Sequence, residues 1–212
     1  MVYTFALNHP IATNMDNWST LLIYIIRHGQ TQLNNAHALQ GRTDHPLNDT
    51  GAQQARKVAR ELAAQGITFA HVYSSPLQRA VQTAEIVAPN VNVTVDERLI
   101  EMDYGPYEGI DLTAPPQEIV TFFSDFVNNP APEGMEPLAD VVVRAGAFVE
   151  SIRNLSGDVL VSTHAIAMKG ILEYLTPDSR GSYWSKYIGN CAIFATAYHD
   201  GQFDAPVEIY KG

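Results

Sequence analysis

A cationic pair directly follows an apolar run near the start of the sequence. Residues 21–26 are all apolar or aromatic, and Arg27 and His28 come next. A neutral imidazole is a competent nucleophile toward phosphorus at neutral pH, and a neighbouring guanidinium can neutralise phosphoryl charge. The pair therefore points to phosphoryl chemistry, provided that further polar groups meet it in the folded chain.

Two later junctions offer such groups. The apolar run 69–75 ends in two serines and precedes a helical pattern with Arg79 in its first turn, and the run 158–164 ends in His164. A cation in the first turn opposes the helix dipole, whereas a bound anion would contact both the guanidinium and the free amides there. A lone histidine at a strand end is usually a solvated residue. The prediction therefore depends on these groups, together with Asn34, converging on one pocket.

Phosphoryl transfer also requires a proton for the leaving oxygen. A carboxylic acid can supply it when burial or neighbouring carboxylates keep the acid neutral. The residue types alone leave open which of the 23 Asp and Glu residues has this role.

Apolar, β-rich runs alternate with helical patterns along the chain. This alternation predicts a three-layer α/β/α sandwich with a mostly parallel sheet, in which ligands bind beyond the carboxyl ends of the strands. Asp200-Gly201 favours a tight turn, so the chain should fold back antiparallel there and make the sheet mixed. The patterns predict strands at 21–26, 69–75, 91–95, 158–164 and 192–199, and helices at 50–65, 76–88, 114–128, 137–154 and 164–175.

One segment differs in composition from the rest. Residues 101–143 contain nine Asp or Glu and no Lys, Arg or His. We expect this segment to be an insertion over the sheet, acting as a lid, rather than a separate domain. The remainder of 21–212 is then a single domain, preceded by a polar N-terminal arm at 1–20.

Bulk properties narrow the possible partners. A net charge of -10 over 212 residues opposes binding to nucleic acid or to an anionic membrane, so an anion would need a local cationic cluster. The single cysteine, Cys191, is interpreted as a small buried hydrophobe. Residues 1–20 have no Lys, no Arg and no long apolar stretch, so a cytoplasmic protein without a membrane span is expected. The oligomeric state cannot be read from the sequence.

Five histidines lack metal-like spacing, and no metal site is predicted for them: His9, His37, His45, His71 and His199.

The motifs resemble a known family. RHGQTQLN at 27–34 resembles the signature of the histidine phosphatase superfamily, the phosphoglycerate mutase-like proteins. The resemblance extends from residue 21 to residue 198, and its fold implies the three-layer sandwich predicted above. The matching blocks continue in order through LQGRTDHPLNDTGAQQA (39–55), SSPLQRAVQTAE (74–85), DERLIEMDYGPYEG (96–109), GMEPLADVVVRAGAF (134–148) and VSTHA (161–165).

The resemblance implies a role for each matching residue. His28 corresponds to the histidine that is transiently phosphorylated, and Glu101 to the proton donor of one branch of the family. Ala165 and Lys169 depart from the pattern, which usually has glycine and often arginine there. The implied phosphate pocket consists of Arg27, His28, Asn34, Gln40, Gly41, Arg79 and His164.

The implied activity is that of a metal-independent phosphatase without a cofactor, acting on small phosphorylated metabolites. His28 would attack phosphorus and Glu101 would protonate the leaving alcohol, its acid form favoured by Asp103 and Glu108. One alternative is a cofactor-dependent phosphoglycerate mutase, which needs additional cations that 101–143 does not supply. The other alternative is a non-catalytic module that binds phosphorylated ligands. Glu136 and Arg144 match family positions, although a structural ion pair explains them equally well.

Overall fold

The computed structural model describes residues 20–212, which form a mixed sheet with helices on both faces. The predicted three-layer α/β/α arrangement is confirmed, and the arm predicted for 1–20 lies outside the described residues except for Thr20. The strands are β1 (Leu21–Arg27), β2 (His71–Ser74), β3 (Val93–Val95), β4 (Val159–Thr163), β5 (Ile193–His199), β6 (Gln202–Phe203) and β7 (Val207–Tyr210). The helices are α1 (Gln32–Asn35), α2 (Asp49–Ala64), α3 (Gln78–Val87), α4 (Gln117–Ser124), α5 (Leu138–Ile152) and α6 (Ala165–Leu175), with short 3-10 helices at Glu97–Leu99, Gly105–Tyr107 and Pro177–Ser179.

The strand order brings the ends of β1, β2 and β4 together. The order is β3-β2-β4-β1-β5-β6, with β7 paired to β5. Strands β3, β2, β4 and β1 run parallel to one another, whereas β5 is antiparallel to β1, β6 and β7. Asp200 and Gly201 both have positive φ, 51° and 83°, and join β5 to β6 as a tight turn. The predicted antiparallel return is therefore present.

Alternation along β1 fills a core on each face of the sheet. Leu21, Ile23 and Ile25 pack with α5 and α6, while Tyr24 and Ile26 pack with α2 and α3. Because helices cover β1 on both faces, neither face contacts solvent, and this explains the uninterrupted apolar run in the sequence. The polar residues therefore begin only where β1 leaves the core.

The acidic segment 101–143 has a buried cluster of its own. Aromatic and aliphatic side chains of this segment, including Tyr104 and Phe122, pack with Val141, where the segment enters α5, and with Ile166 in α6. The segment is thus attached to the helices beside the end of β4, and its action as a lid stays a prediction. No helix between residues 20 and 212 is long and apolar enough to cross a membrane.

Candidate active site

Strand ends and helix starts place the predicted basic residues next to one another. His28 follows β1, His164 is the N-cap of α6 directly after β4, and Arg79 lies in the first turn of α3. Nε of Arg79 is 3.3 Å from Nε2 of His28, and the His28 and His164 ring centroids are 5.1 Å apart. The parallel pairing of β1 with β4 sets this arrangement, because Arg27 is in register with Thr163.

The His28 ring is buried and held by a hydrogen bond to the neighbouring backbone. The residue is 3% exposed, and Nδ1 lies 2.7 Å from the carbonyl oxygen of Gly29. Burial, and then the charges of Arg79 and Arg27, hold the pKa of His28 well below its usual value of 6.5. The imidazole is therefore neutral, and this hydrogen-bond network assigns its proton to Nδ1, which leaves a lone pair on Nε2.

Arg79 is held by the loop that follows Gln40. Its guanidinium is fully buried and donates to the carbonyl oxygens of Gly41 at 2.6 Å and Thr43 at 3.0 Å. Burial lowers the pKa of Arg79 to about 10, so the group stays charged at neutral pH. Gly41 has no room for a side chain, since a Cβ would lie 2.8 Å from the Met102 carbonyl oxygen and closer still to the Glu108 carboxylate. A glycine here lets the loop approach the arginine.

Three buried nitrogen atoms of the predicted pocket lack a hydrogen-bond partner among residues 20–212. They are Nε of Arg27, Nε2 of Gln40 and Nδ1 of His164. In the same part of the chain, the only other such side-chain atom is Oγ1 of Thr176. Buried polar groups are normally paired, so three of them at one predicted site indicate a ligand that accepts hydrogen bonds.

Asn34 acts within the protein and sets the orientation of Gln40. Its Nδ2 lies 3.4 Å from Oε1 of Gln40, which also accepts from Oγ1 of Thr31 at 2.7 Å. Its own Oδ1 accepts from the Thr31 amide and from Nδ2 of Asn190. Because Oε1 of Gln40 is used in this way, the amide nitrogen of Gln40 is the group left for a ligand.

Glu101 binds the first amides of α6. Its side chain is 3% exposed, and Oε1 accepts from the amides of Met102 and Ala167, each at 2.9 Å. Oε2 accepts from the amide of Ile166 at 3.3 Å. A helix N-terminus favours a negative group, and this one starts at the residue after His164. The carboxylate predicted to move a proton is thus fixed beside the predicted phosphate pocket.

The carboxylates expected to act on Glu101 have donors of their own. Asp103 pairs with Arg42 at 3.2 Å, and Glu108 accepts the Arg42 and Thr43 amides at 2.5 and 2.8 Å. Each of the two carboxylates thus has donors of its own, and their effect on the acid form of Glu101 stays a prediction.

Glu136 and Arg144 form a structural ion pair. Nε of Arg144 lies 2.7 Å from Oε1 of Glu136, and Oε2 also receives Arg42 at 3.2 Å. The side chains of Glu136 and Arg144 are 11% and 16% exposed. The ion-pair interpretation therefore describes their contacts in this structure.

Comparison with known proteins places this arrangement in a family. The model of the histidine phosphatase superfamily (branch 1) matches residues 23–207. The chain belongs to this superfamily. A probable phosphoglycerate mutase, GpmB, of Salmonella newport (strain SL254) is 32% identical over 191 residues, which cover 86% of this chain and 87% of the relative.

Solved structures agree with this membership. A mutant phosphoserine phosphatase from Entamoeba histolytica in complex with phosphoserine is 26% identical, with a TM-score of 0.74, and the match covers 89% of this chain and 94% of that one. Bacillus stearothermophilus YhfR is 29% identical with a TM-score of 0.77, over 87% of this chain and 95% of that one. Both similarities extend over nearly the whole described domain.

Lys169 is a buried cation whose contacts the sequence did not predict. It is 8% exposed, donates to the Trp184 carbonyl oxygen at 2.7 Å and lies 5.4 Å from the centre of the Phe126 ring. Burial lowers its pKa to about 8, although Glu101 opposes this shift. The sequence did indicate that this lysine is unusual, because it lies in the otherwise apolar run AIAMKGIL. A cation on a buried helix is unfavourable unless a partner compensates its charge.

Two further polar residues of this superfamily member form hydrogen bonds with the two histidines. Oγ of Ser75 lies 2.7 Å from Nε2 of His164, and Nδ2 of Asn190 donates to the His28 carbonyl oxygen at 3.1 Å. Cys191 is fully buried as predicted, and its amide also approaches that carbonyl. The sequence offered no signal for Asn190, which reaches the site from the loop before β5. Among residues 20–212, no group of three or more His, Cys, Asp or Glu could hold a metal ion.

Proposed function

We propose that this histidine phosphatase is a metal-independent phosphomonoesterase that hydrolyses small phosphorylated metabolites through a phosphohistidine on His28. The observation that carries the proposal is the set of unpartnered buried donors on Arg27, Gln40 and His164, together with the lone pair on Nε2 of neutral His28, which faces Nε of Arg79. Donors spread around a nucleophilic nitrogen suit the oxygens of a phosphoryl group. Asn34 and Gly41 support these donors through Gln40 and Arg79.

The charge balance of the pocket supports a single phosphate. Arg27, Arg79 and Lys169 have no carboxylate within salt-bridge distance among residues 20–212, and each interacts electrostatically with buried Glu101. Before Glu101 takes up the proton that it later donates, the three cations and its carboxylate leave a net charge of about two positive units, and a phosphate monoester at pH 7 carries up to about two negative units. One phosphoryl group thus compensates this buried charge.

In the first half-reaction, Nε2 of His28 attacks the phosphorus in line and the bond from phosphorus to the ester oxygen breaks. Arg27 and Arg79 stabilise the charge on the transferring group, and His164 donates to one of its oxygens. Glu101, protonated in the substrate complex, gives its proton to the leaving oxygen, so an alcohol departs. Phosphohistidine and the Glu101 carboxylate remain.

In the second half-reaction, water replaces the alcohol. The Glu101 carboxylate takes a proton from this water as its oxygen attacks phosphorus, and the bond to Nε2 of His28 breaks. Inorganic phosphate leaves, and Glu101 carries its proton again. The cycle uses no metal and returns every group to its starting state.

A phosphoglycerate mutase is the second candidate, and the name of the Salmonella relative favours it. Such an enzyme must hold a bisphosphate that also bears a carboxylate, which calls for additional free cations. Segment 101–143 contains none, and Arg42 is already bound to Asp103 and Glu136. The charges of the pocket therefore favour hydrolysis.

The test is phosphate release from an aryl phosphate and from a panel of metabolites that includes phosphoserine, with a chelator present and mutase turnover measured alongside. Wild type and His71→Ala, altered at the start of β2 and hence at the opposite end of the strand from the site, should be active, whereas His28→Ala and Glu101→Gln should not. Rapid quenching with labelled substrate should trap label on His28. Full activity of His28→Ala would exclude the proposed nucleophile, and dominant mutase turnover would favour the second candidate. Tight phosphate binding without turnover would indicate a binding module.

A further inference from the structure

Ser75 and His164 meet because β2 and β4 end side by side. Ser74 is in register with Ser162, and the amide of Ser75 donates to the Ser162 carbonyl oxygen at 3.0 Å. Just beyond this pair, one residue after Ser74 and two residues after Ser162, Oγ of Ser75 lies 2.7 Å from Nε2 of His164. Both side chains are fully buried, so water does not compete for this contact.

The proton of this short contact can be assigned by counting donors and acceptors. A hydroxyl has one hydrogen to donate, and Oγ of Ser75 already accepts the amide of Leu77 at 3.3 Å. Nε2 of His164 is the only acceptor recorded for the Ser75 hydroxyl among residues 20–212. If Nε2 carried the proton, the buried hydroxyl hydrogen would have no acceptor, which is unfavourable. The hydroxyl therefore donates and Nε2 accepts.

The same assignment decides what His164 offers on its other side. With Nε2 as acceptor, the proton of the neutral ring is on Nδ1, which is buried and has no partner among residues 20–212. The other tautomer would present a lone pair there, and a lone pair repels a phosphoryl oxygen. The state of the Ser75 hydroxyl thus determines whether His164 is a donor or an acceptor toward the ligand.

We propose that Ser75 is a positioning residue that sets the tautomer of His164, so that Nδ1–H donates to a phosphoryl oxygen. The phosphoryl part of this inference rests on the proposed function, whereas the tautomer is a property of the protein alone. His28 and His164 then share the Nδ1–H tautomer and use opposite nitrogens. His28 attacks with the lone pair on Nε2, and His164 donates from Nδ1.

The experiment compares Ser75→Ala with a matched control, Ser74→Ala. Ser74 is also fully buried, and its hydroxyl donates to the Ser75 carbonyl oxygen without touching His164. Nitrogen shifts of 15N-labelled His164, measured at pH 7.5 without phosphate, report the tautomer directly. Wild type and Ser74→Ala should show only Nδ1–H, and Ser75→Ala should show a mixture.

Activity provides the second readout. Loss of a supporting partner typically costs about 10- to 100-fold, so Ser75→Ala should lose activity on an aryl phosphate in that range, mostly in kcat. Ser75→Thr keeps the hydroxyl and should recover both the tautomer and part of the rate. An Nε2–H tautomer in wild type, or unchanged nitrogen shifts in Ser75→Ala, would overturn the inference even if that variant lost stability. Wild type with Nδ1–H but no phosphatase activity would contradict the proposed function only.

Discussion

The imidazole rings of His28 and His164 lie 5.1 Å apart, tilted by 58°, inside a pocket that also holds Arg27 and Arg79. Each ring is buried, and burial and the nearby arginines hold the pKa of both histidines well below 6.5. Two neutral imidazoles can therefore work at one phosphoryl group, one as a nucleophile and one as a donor. His164 can donate without a second proton on its ring, because a neutral imidazole already carries one N–H group.

The low pKa of His28 predicts activity at acidic pH. Its Nε2 keeps the lone pair at pH values where an exposed histidine is already protonated. The acidic limb of kcat/KM for an aryl phosphate should accordingly lie well below pH 6.5. A profile from pH 4 to 9, corrected for ionisation of the substrate, measures it. If the acidic limb lies at pH 6.5 and is absent from the step that follows phosphorylation of His28 in a burst experiment, His28 itself takes up the proton. This result would contradict the neutral nucleophile.

Stability should decrease as the pH falls below 6.5, and His164 should contribute to the decrease. The unfolded chain binds a proton on this residue near pH 6.5, whereas the folded chain does so only at much lower pH. Between these values each such histidine lowers the free energy of unfolding by up to about 1.4 kcal/mol per pH unit. Urea titrations at pH 7.5 and 5.5 should show a shallower decrease for His164→Gln than for wild type. Equal slopes would mean that His164 accepts a proton in the folded protein.

Lys169→Met should make the protein more stable and less active. At pH 7 the folded chain buries a charge with a single carbonyl partner, and the pKa of about 8 lies below the usual value of 10.5. Methionine has no charge to bury, so the free energy of unfolding should rise by about 1–3 kcal/mol. Stability of wild type itself should increase from pH 8 to 10.5, because the unfolded chain binds more protons there, and the advantage of the variant should vanish. Urea titrations at pH 7 and 10 and kcat/KM measure these effects.

Glu136→Gln should destabilise the fold through the arginines it leaves behind. Its carboxylate is 11% exposed and receives both Arg144 and Arg42. Removing one member of a buried pair typically costs about 3–5 kcal/mol. The control is Glu61→Gln on α2, whose 3.9 Å pair with Lys57 is exposed and should matter by less than about 1 kcal/mol. Chemical denaturation of both variants tests this difference, and similar values would argue against a structural role for the Glu136 pair.

The sequence predicted those parts of the fold that have strong periodicity. All five strands and five helices expected from apolar patterns are present, with ends displaced by a few residues. The four-residue helix α1 was missed because it is closed by a capping box of Thr31 and Asn34 rather than by an apolar face. Strand β7 was missed because it is short and half exposed, with Val207 55% exposed. Such elements depend on contacts that a local pattern does not contain.

Residue types and strand ends in the sequence indicated the basic residues of the site, but not the hydrogen bonds that orient them. Arg27, His28, Arg79 and His164 follow from where apolar runs stop. Two of the three amides that bind Glu101 belong to α6, far away in sequence, and only the fold brings them to this carboxylate. Ser75 is part of the block SSPLQRAVQTAE, but its contact with His164 depends on the register between β2 and β4. Sequence reasoning thus found the charged groups and missed the hydrogen bonds that orient them.

The pairing of β1 with β4 joins strands that are more than half of the chain apart in sequence, as the register of Ile23 with Val159 shows. Neither His28 nor His164 has its neighbours until that long loop has closed, and closure of long loops is a slow, entropically costly part of folding. A partly folded chain would carry helices and hairpins but no anion pocket. Phosphate binding is therefore a late event during refolding, and a ligand that stabilises the pocket acts on the whole sheet at once.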